Sequence, residues 1–81
     1  MVEYSVGIAV DLSHISRVLT SMGRLEEAKE NLERALFINT QLGFRNEMRT
    51  NLMGLINLSR RLGDERATRD YRAQLRRLER G

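Results

Sequence analysis

The sequence contains no cysteine, proline or tryptophan, and its aromatic residues are two Phe and two Tyr. The absence of cysteine excludes disulfides, thiolate metal ligands and a thiol nucleophile. The absence of proline and the scarcity of aromatic residues are typical of a small helical protein with an aliphatic core.

Long apolar runs are also absent, since no stretch approaches the roughly 18 uninterrupted apolar residues of a membrane-spanning helix. Glu3 and Asp11 interrupt the apolar residues near the N-terminus, an order unlike the basic and then apolar regions of a secretory signal. We therefore expect a cytoplasmic protein without membrane contact.

A chain of 81 residues is expected to form a single domain, residues 1–81. For its mass, a compact fold would expose about 5,000 Å² and bury roughly 60% of the surface of the unfolded chain. At that burial the hydrophobic gain and the loss of conformational entropy nearly cancel. An elongated fold buries less, so we expect the isolated chain to be marginally stable or to bury a further face against another molecule.

Apolar residues recur at intervals of three and four, which is the period of amphipathic helices. The spacing predicts an all-α fold with helices at about residues 4–22, 25–42, 46–62 and 65–79. Gly23, Gly43 and Gly63 follow three of them, where a left-handed glycine commonly ends a helix. Asp64 is predicted to cap the fourth helix.

The apolar pattern repeats after 40 residues. The pairs of residues related by this interval are Leu12 and Leu52, Ile15 and Leu55, Val18 and Leu58, Met22 and Leu62, and Gly23 and Gly63. A period of this length indicates stacked helical hairpins, each of which covers its apolar face with a neighbour. We predict two stacked antiparallel hairpins, with repeats at about residues 9–43 and 49–80.

In the first unit, an apolar helix ends in glycine and small residues follow in the second helix. The residues that carry this spacing are Leu12, Ile15, Leu19, Gly23, Ala28, Leu32 and Ala35. The spacing resembles that of the tetratricopeptide repeat family. The resemblance implies an α–α superhelix that acts as a scaffold or adaptor and binds a protein or peptide partner.

The second unit departs from the family's pattern. Thr68 stands where the family has Ala, and Ala67 lies one place early. Tyr71 and Leu75 also fall off the expected frame, so we expect a degenerate terminal repeat whose helices pack less closely. The period overlaps that of HEAT-like repeats, but tetratricopeptide variants with longer helices have a Leu-Gly-x-x-x-Glu connector similar to residues 42–47.

The resemblance also implies a concave binding surface formed by the first helix of each hairpin. The non-core residues expected to line it are Arg17, Thr20, Met53, Asn57, Arg60 and Arg61, together with Ser13 and Ser21. Arginine forks and an asparagine amide can hold a carboxylate or an extended peptide backbone through charge-assisted hydrogen bonds. We therefore predict a peptide-binding groove at these residues.

The first helix carries more apolar surface than one neighbouring helix can cover. Its apolar side chains point in several directions, so they cannot all face the second helix. They include Val6, Ile8, Val10, Ile15 and Val18. We expect Val6, Ile8 and Val10 to mediate self-association into a homo-oligomer. If the chain is a fragment of a longer repeat array, a preceding unit would cover them instead.

Catalysis, metal binding and cofactor binding find no support in the sequence. His14 is the single histidine, no serine lies in a glycine-flanked elbow, and the glutamates of the second helix have no histidine at ligand spacing. We expect His14 to be a partly exposed helix residue. The predicted function is therefore non-enzymatic, with no cofactor.

Basic residues are concentrated in the C-terminal half. Residues 1–43 hold four basic and six acidic side chains, a net charge of −2, whereas residues 44–81 hold ten and five, a net charge of +5. An alternative function is therefore nucleic-acid binding by the arginine-rich fourth helix, which predicts an affinity that falls steeply with salt. These arginines are not interleaved with aromatic residues, which favours a protein or peptide partner.

Overall fold

The computed structural model describes residues 2–81, and side chains from Glu3 onward. Met1, where the predicted domain begins, lies outside this range. The helices in chain order are α1 (Val2–Ser21), α2 (Leu25–Leu42), α3 (Arg45–Arg61) and α4 (Glu65–Arg80). All four lie within two residues of their predicted bounds, and the predicted all-α fold class is confirmed.

The three connections are copies of one tight turn built around glycine. Gly23, Gly43 and Gly63 have φ values of +77°, +73° and +75°, in the left-handed region where a side chain would be strained. The amide after each glycine donates to the carbonyl oxygen five residues earlier: Arg24 to Leu19 (2.9 Å), Phe44 to Asn39 (3.0 Å) and Asp64 to Ser59 (2.9 Å). This bond satisfies a free carbonyl at the helix end and sends the next helix back antiparallel.

The helices pack in chain order, α1 on α2, α2 on α3 and α3 on α4. The result is a thin stack of two hairpins with dimensions of 36 × 31 × 13 Å. Its accessible surface is 5537 Å², more than the roughly 5,000 Å² of a compact chain of this mass. The shape therefore buries less than a sphere would.

Small residues allow the first hairpin to close tightly. Ala28 and Ala35 of α2 are fully buried, and the Oγ atom of Ser16 in α1 donates to the carbonyl oxygen of Ala28 at 2.8 Å. The buried aliphatic residues that complete the core are Ala9, Leu12, Leu19, Leu32, Leu52, Leu55 and Leu58. These residues lie on the stripes that the sequence pattern predicts.

The second hairpin fills its core with larger and more polar side chains. Thr68 and Tyr71 of α4 are both buried, and the Tyr71 hydroxyl donates to a carboxylate oxygen of Glu33 in α2. The Oδ1 atom of Asp64 accepts from the Ala67 amide at 3.0 Å, which confirms the predicted cap. None of the helices in residues 2–81 has both the length and the apolarity needed to cross a bilayer.

Candidate functional site

A groove runs between α1 and α3, with α2 as its floor. We call it the α1–α3 cleft, and its volume is about 590 Å³. The residues that line it are Ser13, Ser16, Arg17, Thr20, Ser21, Leu32, Thr50, Asn51, Gly54, Asn57, Leu58 and Arg61. Because α1 and α3 are the first helices of the two hairpins, the cleft lies at the surface where the resemblance places a ligand.

The floor of the cleft is shaped by a close approach of α2 to α3. A Cβ atom built on Gly54 would lie 2.6 Å from the Cδ2 atom of Leu32, so the missing side chain at Gly54 makes room for the leucine. Leu58 is buried beside them. The floor is therefore apolar and closely packed.

Four of the six predicted groove residues line the cleft together: Arg17, Thr20, Asn57 and Arg61. Met53 and Arg60 lie outside it. Met53 is exposed on α3, and Arg60 lines a separate depression with Arg69 and Arg72 of α4. Adjacent helix residues point about 100° apart, so Arg60 and Arg61 face different surfaces.

A buried amide pair joins the helices at the middle of the cleft. The Nδ2 atom of Asn39 in α2 donates to the Oδ1 atom of Asn51 in α3 at 2.7 Å. The Nδ2 atom of Asn51 in turn lies 3.5 Å from the Oγ atom of Ser13 in α1. Sequence reasoning missed Asn51 and Thr50 as lining residues. The signal available for Asn51 was a polar residue on the apolar face of a helix.

The cationic groups of the cleft are free to meet a ligand. In the part of the chain that the structure describes, Arg17 and Arg61 have no salt-bridge partner. The salt bridges present there are Arg24–Glu27, Lys29–Asp64 and Arg49–Glu79. Thr20 is held by a bond from its Oγ1 atom to the Ser16 carbonyl oxygen at 2.8 Å, so its hydroxyl proton is already used. The cleft therefore presents two unpaired guanidinium groups beside the amide of Asn57.

A second depression of about 350 Å³ continues the cleft towards the start of α1. It is lined in part by Val6, Val10 and Phe44, and it shares Ser13, Arg17, Thr50 and Asn51 with the cleft. Val6 and Val10, predicted as self-association residues, therefore face the α3 side of α1. Ile8 is half-buried and lies on another side of α1, because two helical positions are separated by about 200°.

The large exposed apolar side chains of α1 and of the turn that follows it are Tyr4, Val10, Ile15, Val18 and Met22. The predicted surplus of apolar surface on this helix is therefore present, and Ile15 and Val18 belong to it. Its main extent lies at residues other than Val6 and Ile8, which are half-buried.

The arginines of α4 form an exposed, polar outer surface. They are Arg66, Arg69, Arg72, Arg76, Arg77 and Arg80, and all are exposed. Nη2 of Arg45 in α3 donates to the carbonyl oxygen of Leu78, which ties the end of α4 to the start of α3. His14 is exposed on α1, and within residues 2–81 no three His, Cys, Asp or Glu side chains cluster as metal ligands would.

Comparisons with known protein families, with curated proteins and with solved structures give no match to this chain. The resemblance of its first unit to the tetratricopeptide repeats therefore stays a prediction.

Proposed function

We propose that the chain is a non-enzymatic, cytoplasmic interaction module of the tetratricopeptide type that binds an extended peptide in the α1–α3 cleft. One observation carries this proposal. Arg17 and Arg61 come from different hairpins, line one groove with Asn57, and have no ion-pair partner among residues 2–81. Such paired guanidinium groups favour a carboxylate ligand.

The length of the cleft suits a short peptide. From Val6 to Ser21 the lining follows α1 for about 22 Å at the rise of an α-helix. An extended chain covers that distance with about seven residues. A segment of this size is a typical peptide ligand for a helical groove.

The two ends of the cleft differ in chemistry, which sets the direction of the ligand. Val6, Val10 and Phe44 supply apolar surface at one end, whereas Asn57 and Arg61 line only the other. The ligand that fits is a peptide with an aliphatic half and an acidic half. Its backbone would pass the amide of Asn51 at the centre.

The proposal is tested by fluorescence anisotropy with labelled octapeptides that have an aliphatic half and a Glu-containing half. We expect the Arg61→Glu variant to bind at least about tenfold more weakly, because a charge-assisted hydrogen bond is replaced by repulsion. Arg17→Glu is expected to have a similar effect. Peptides with Gln in place of Glu should lose most of the affinity.

Arg60→Glu is the matched control, since it makes the same change of charge one residue away on a different surface. It should leave the affinity within about twofold, because exposed charges at a distance are screened. Equal losses in the Arg60 and Arg61 variants, or no binding by any peptide, would reject the cleft as the site. Binding of DNA or RNA that falls steeply with salt would support the arginine-rich α4 instead.

Self-association through α1 and membership of a longer repeat array both remain predictions. Each requires a partner for the exposed apolar side chains of α1.

A further inference from the structure

One side of α1, away from the cleft, carries a row of apolar side chains, interrupted by Asp11, that no helix of the described chain covers. We call it the α1 outer face, and it consists of Tyr4, Ile8, Asp11, Ile15, Val18 and Met22. Tyr4, Val18 and Met22 are 72%, 58% and 59% exposed. The spacing of four, three, four and three places the first five on one face of α1, and Met22 continues this face in the turn that follows the helix.

The structure contains a buried copy of this face. The turns after α1 and α3 are equivalent, since Gly23 and Gly63 lie 40 residues apart and have φ values of +77° and +75°. The same interval relates Asp11, Ile15, Val18 and Met22 to Asn51, Leu55, Leu58 and Leu62. Leu55 and Leu58 are 0% and 2% exposed, whereas their counterparts Ile15 and Val18 are 47% and 58% exposed.

The number of packed neighbours accounts for this difference. α3 packs on both α2 and α4, whereas α1 packs on α2, so the neighbour that α1 lacks is the equivalent of α2. Asn39 bonds to Asn51 at 2.7 Å, and Leu25 and Leu62 line one depression near the turn. Leu32 fills the space left by Gly54. In these three pairs the residue numbers rise along α2 while they fall along α3, so α2 lies antiparallel across α3. In residues 2–81 no helix makes the equivalent contacts with α1.

We propose that the α1 outer face is the docking surface for an amphipathic helix of another polypeptide, which packs on α1 as α2 packs on α3. The occupant is antiparallel to α1 and presents an aliphatic stripe to Ile15, Val18 and Met22. This surface is separate from the α1–α3 cleft. If no helix docked on the α1 outer face in a test, the proposal that the cleft binds a peptide would be unaffected.

Two differences between α1 and α3 specify the occupant further. Asp11 replaces Asn51, so the group that faces it must donate a hydrogen bond or carry a positive charge, because a carboxylate only accepts. His14 replaces Gly54 and lies at the border between this face and the depression that continues the cleft. A large side chain in the position that corresponds to Leu32 would meet it, so that position is expected to be small. The occupant therefore has Asn, Gln, Lys or Arg opposite Asp11 and a residue such as Ala opposite His14.

A second copy of the chain is a poor occupant in either arrangement. In a head-to-tail stack α4 would take the place of α2, and its residues Glu65, Arg72, Arg76 and Glu79 stand where α2 has Leu25, Leu32, Leu36 and Asn39. Glu79 would then face Asp11. A two-fold pairing of α1 with its copy would bury both Asp11 carboxylates in a contact whose face contains no basic side chain, which is unfavourable.

The probe for this surface is a peptide that spans residues 24–43 of this chain, with Leu32→Ala and with a lactam bridge from Glu30 to a lysine introduced by Arg34→Lys. Both bridged positions are exposed in α2, and the bridge offsets the poor helicity of short peptides. Binding to the full chain is measured by calorimetry. We expect one peptide to bind per chain.

Val18→Glu in the chain should abolish this binding, since it places a charge in the middle of the apolar contact. Phe37→Glu is the matched control, because Phe37 is 63% exposed on α2, away from this face. The control should bind as the unchanged chain does. Neither variant alters a buried side chain, so both are expected to fold, and circular dichroism checks this.

Two further arms test the chemistry of the occupant. The peptide that keeps Leu32 should bind the unchanged chain about tenfold more weakly than the Ala form, and His14→Gly in the chain should reverse this order. Replacement of Asn39 in the peptide by Arg should strengthen binding, and replacement by Glu should weaken it. Asp11→Asn in the chain should remove most of that difference.

Three results would overturn the proposal. One is the absence of peptide binding to the folded chain. Another is an equal loss in the Val18 and Phe37 variants, which would mean that the peptide binds without a specific surface. The third is a dimer of the free chain in sedimentation equilibrium that Val18→Glu dissociates, which would make a second copy the occupant.

Discussion

Asp64 shows how much one exposed side chain contributes to a helix end. Its Oδ1 atom accepts from the Ala67 amide, and its Oδ2 atom lies 3.5 Å from the Nζ atom of Lys29. The bond from the Ala67 amide is the main reason why the pKa of Asp64 is lowered from its ordinary value of 3.8, with further lowering from Lys29. The ionised form is therefore favoured in the folded state.

This pKa shift predicts a pH-dependent role for Asp64. A carboxyl group with a lowered pKa in the folded protein stabilises it above the unfolded pKa, and the contribution is lost as the pH falls through the folded value. The difference in free energy of unfolding between the unchanged chain and Asp64→Ala should be constant above about pH 5 and shrink in acid. Urea unfolding across this range measures it. Asp64→Asn keeps a hydrogen-bond acceptor and should lose less; a difference that stays constant in acid would contradict this account.

The structural role of a residue was predictable from the sequence where that role depends only on its near neighbours in the chain. Asp64 as a cap and Gly23 as a helix end follow from the preferences of single residues. Such reasoning missed Asn51 in the cleft and grouped Arg60 with Arg61, which lines a different depression, because the surroundings of both residues depend on a neighbouring helix. Met53 is a similar case, since a shift of one position rotates a side chain by about 100°.

At the scale of the helices, the two internal glycines have opposite roles. Gly7 of α1 has nothing within 4 Å of the place where a Cβ atom would lie, whereas Gly54 of α3 faces Leu32 of α2 at 2.6 Å. A glycine within a helix costs about 1 kcal/mol relative to alanine. At Gly54 this cost is offset by the close approach of α2 to α3. At Gly7 no neighbouring helix approaches, so nothing offsets the cost.

The same substitution at both sites should therefore give different results. Gly7→Ala is expected to raise the free energy of unfolding by about 0.5–1 kcal/mol. Gly54→Ala should gain less because Leu32 must move, and Gly54→Val should lower stability by about 1–3 kcal/mol through overpacking. Chemical denaturation of the three variants checks the order. An equal gain from both alanine variants would show that Leu32 adapts freely.

Helix bounds were predictable because the apolar period and the three glycine turns act within each segment. The side of α1 that is covered was not predictable in the same way. The period of three and four shows how wide an apolar face is, but only the position of α2 decides that Leu12 and Leu19 are buried while Ile15 and Val18 are exposed. The cleft is likewise a product of two helices that are 40 residues apart in the chain.

For the whole molecule, the order of packing predicts a gradient of stability. The inner helices α2 and α3 each pack on two neighbours, whereas α1 and α4 each pack mainly on one. In stacked repeats, local opening begins where neighbours are missing. Amide hydrogen exchange should therefore be slowest in α2 and α3 and faster in α1 and α4. Uniform protection in all four helices would mean that the chain opens only as a unit.

The two ends of the stack are finished in different ways, with an apolar side on α1 and charged side chains on α4 at Glu65, Arg72, Arg76 and Glu79. The α4 end therefore lacks the aliphatic side chains by which α2 packs on α3, so the proposed mode of docking applies to the α1 end alone. A chain that docked a helix in this way would accept a single neighbour. If a helical partner docks on α1, the length of the resulting assembly is set by the partner.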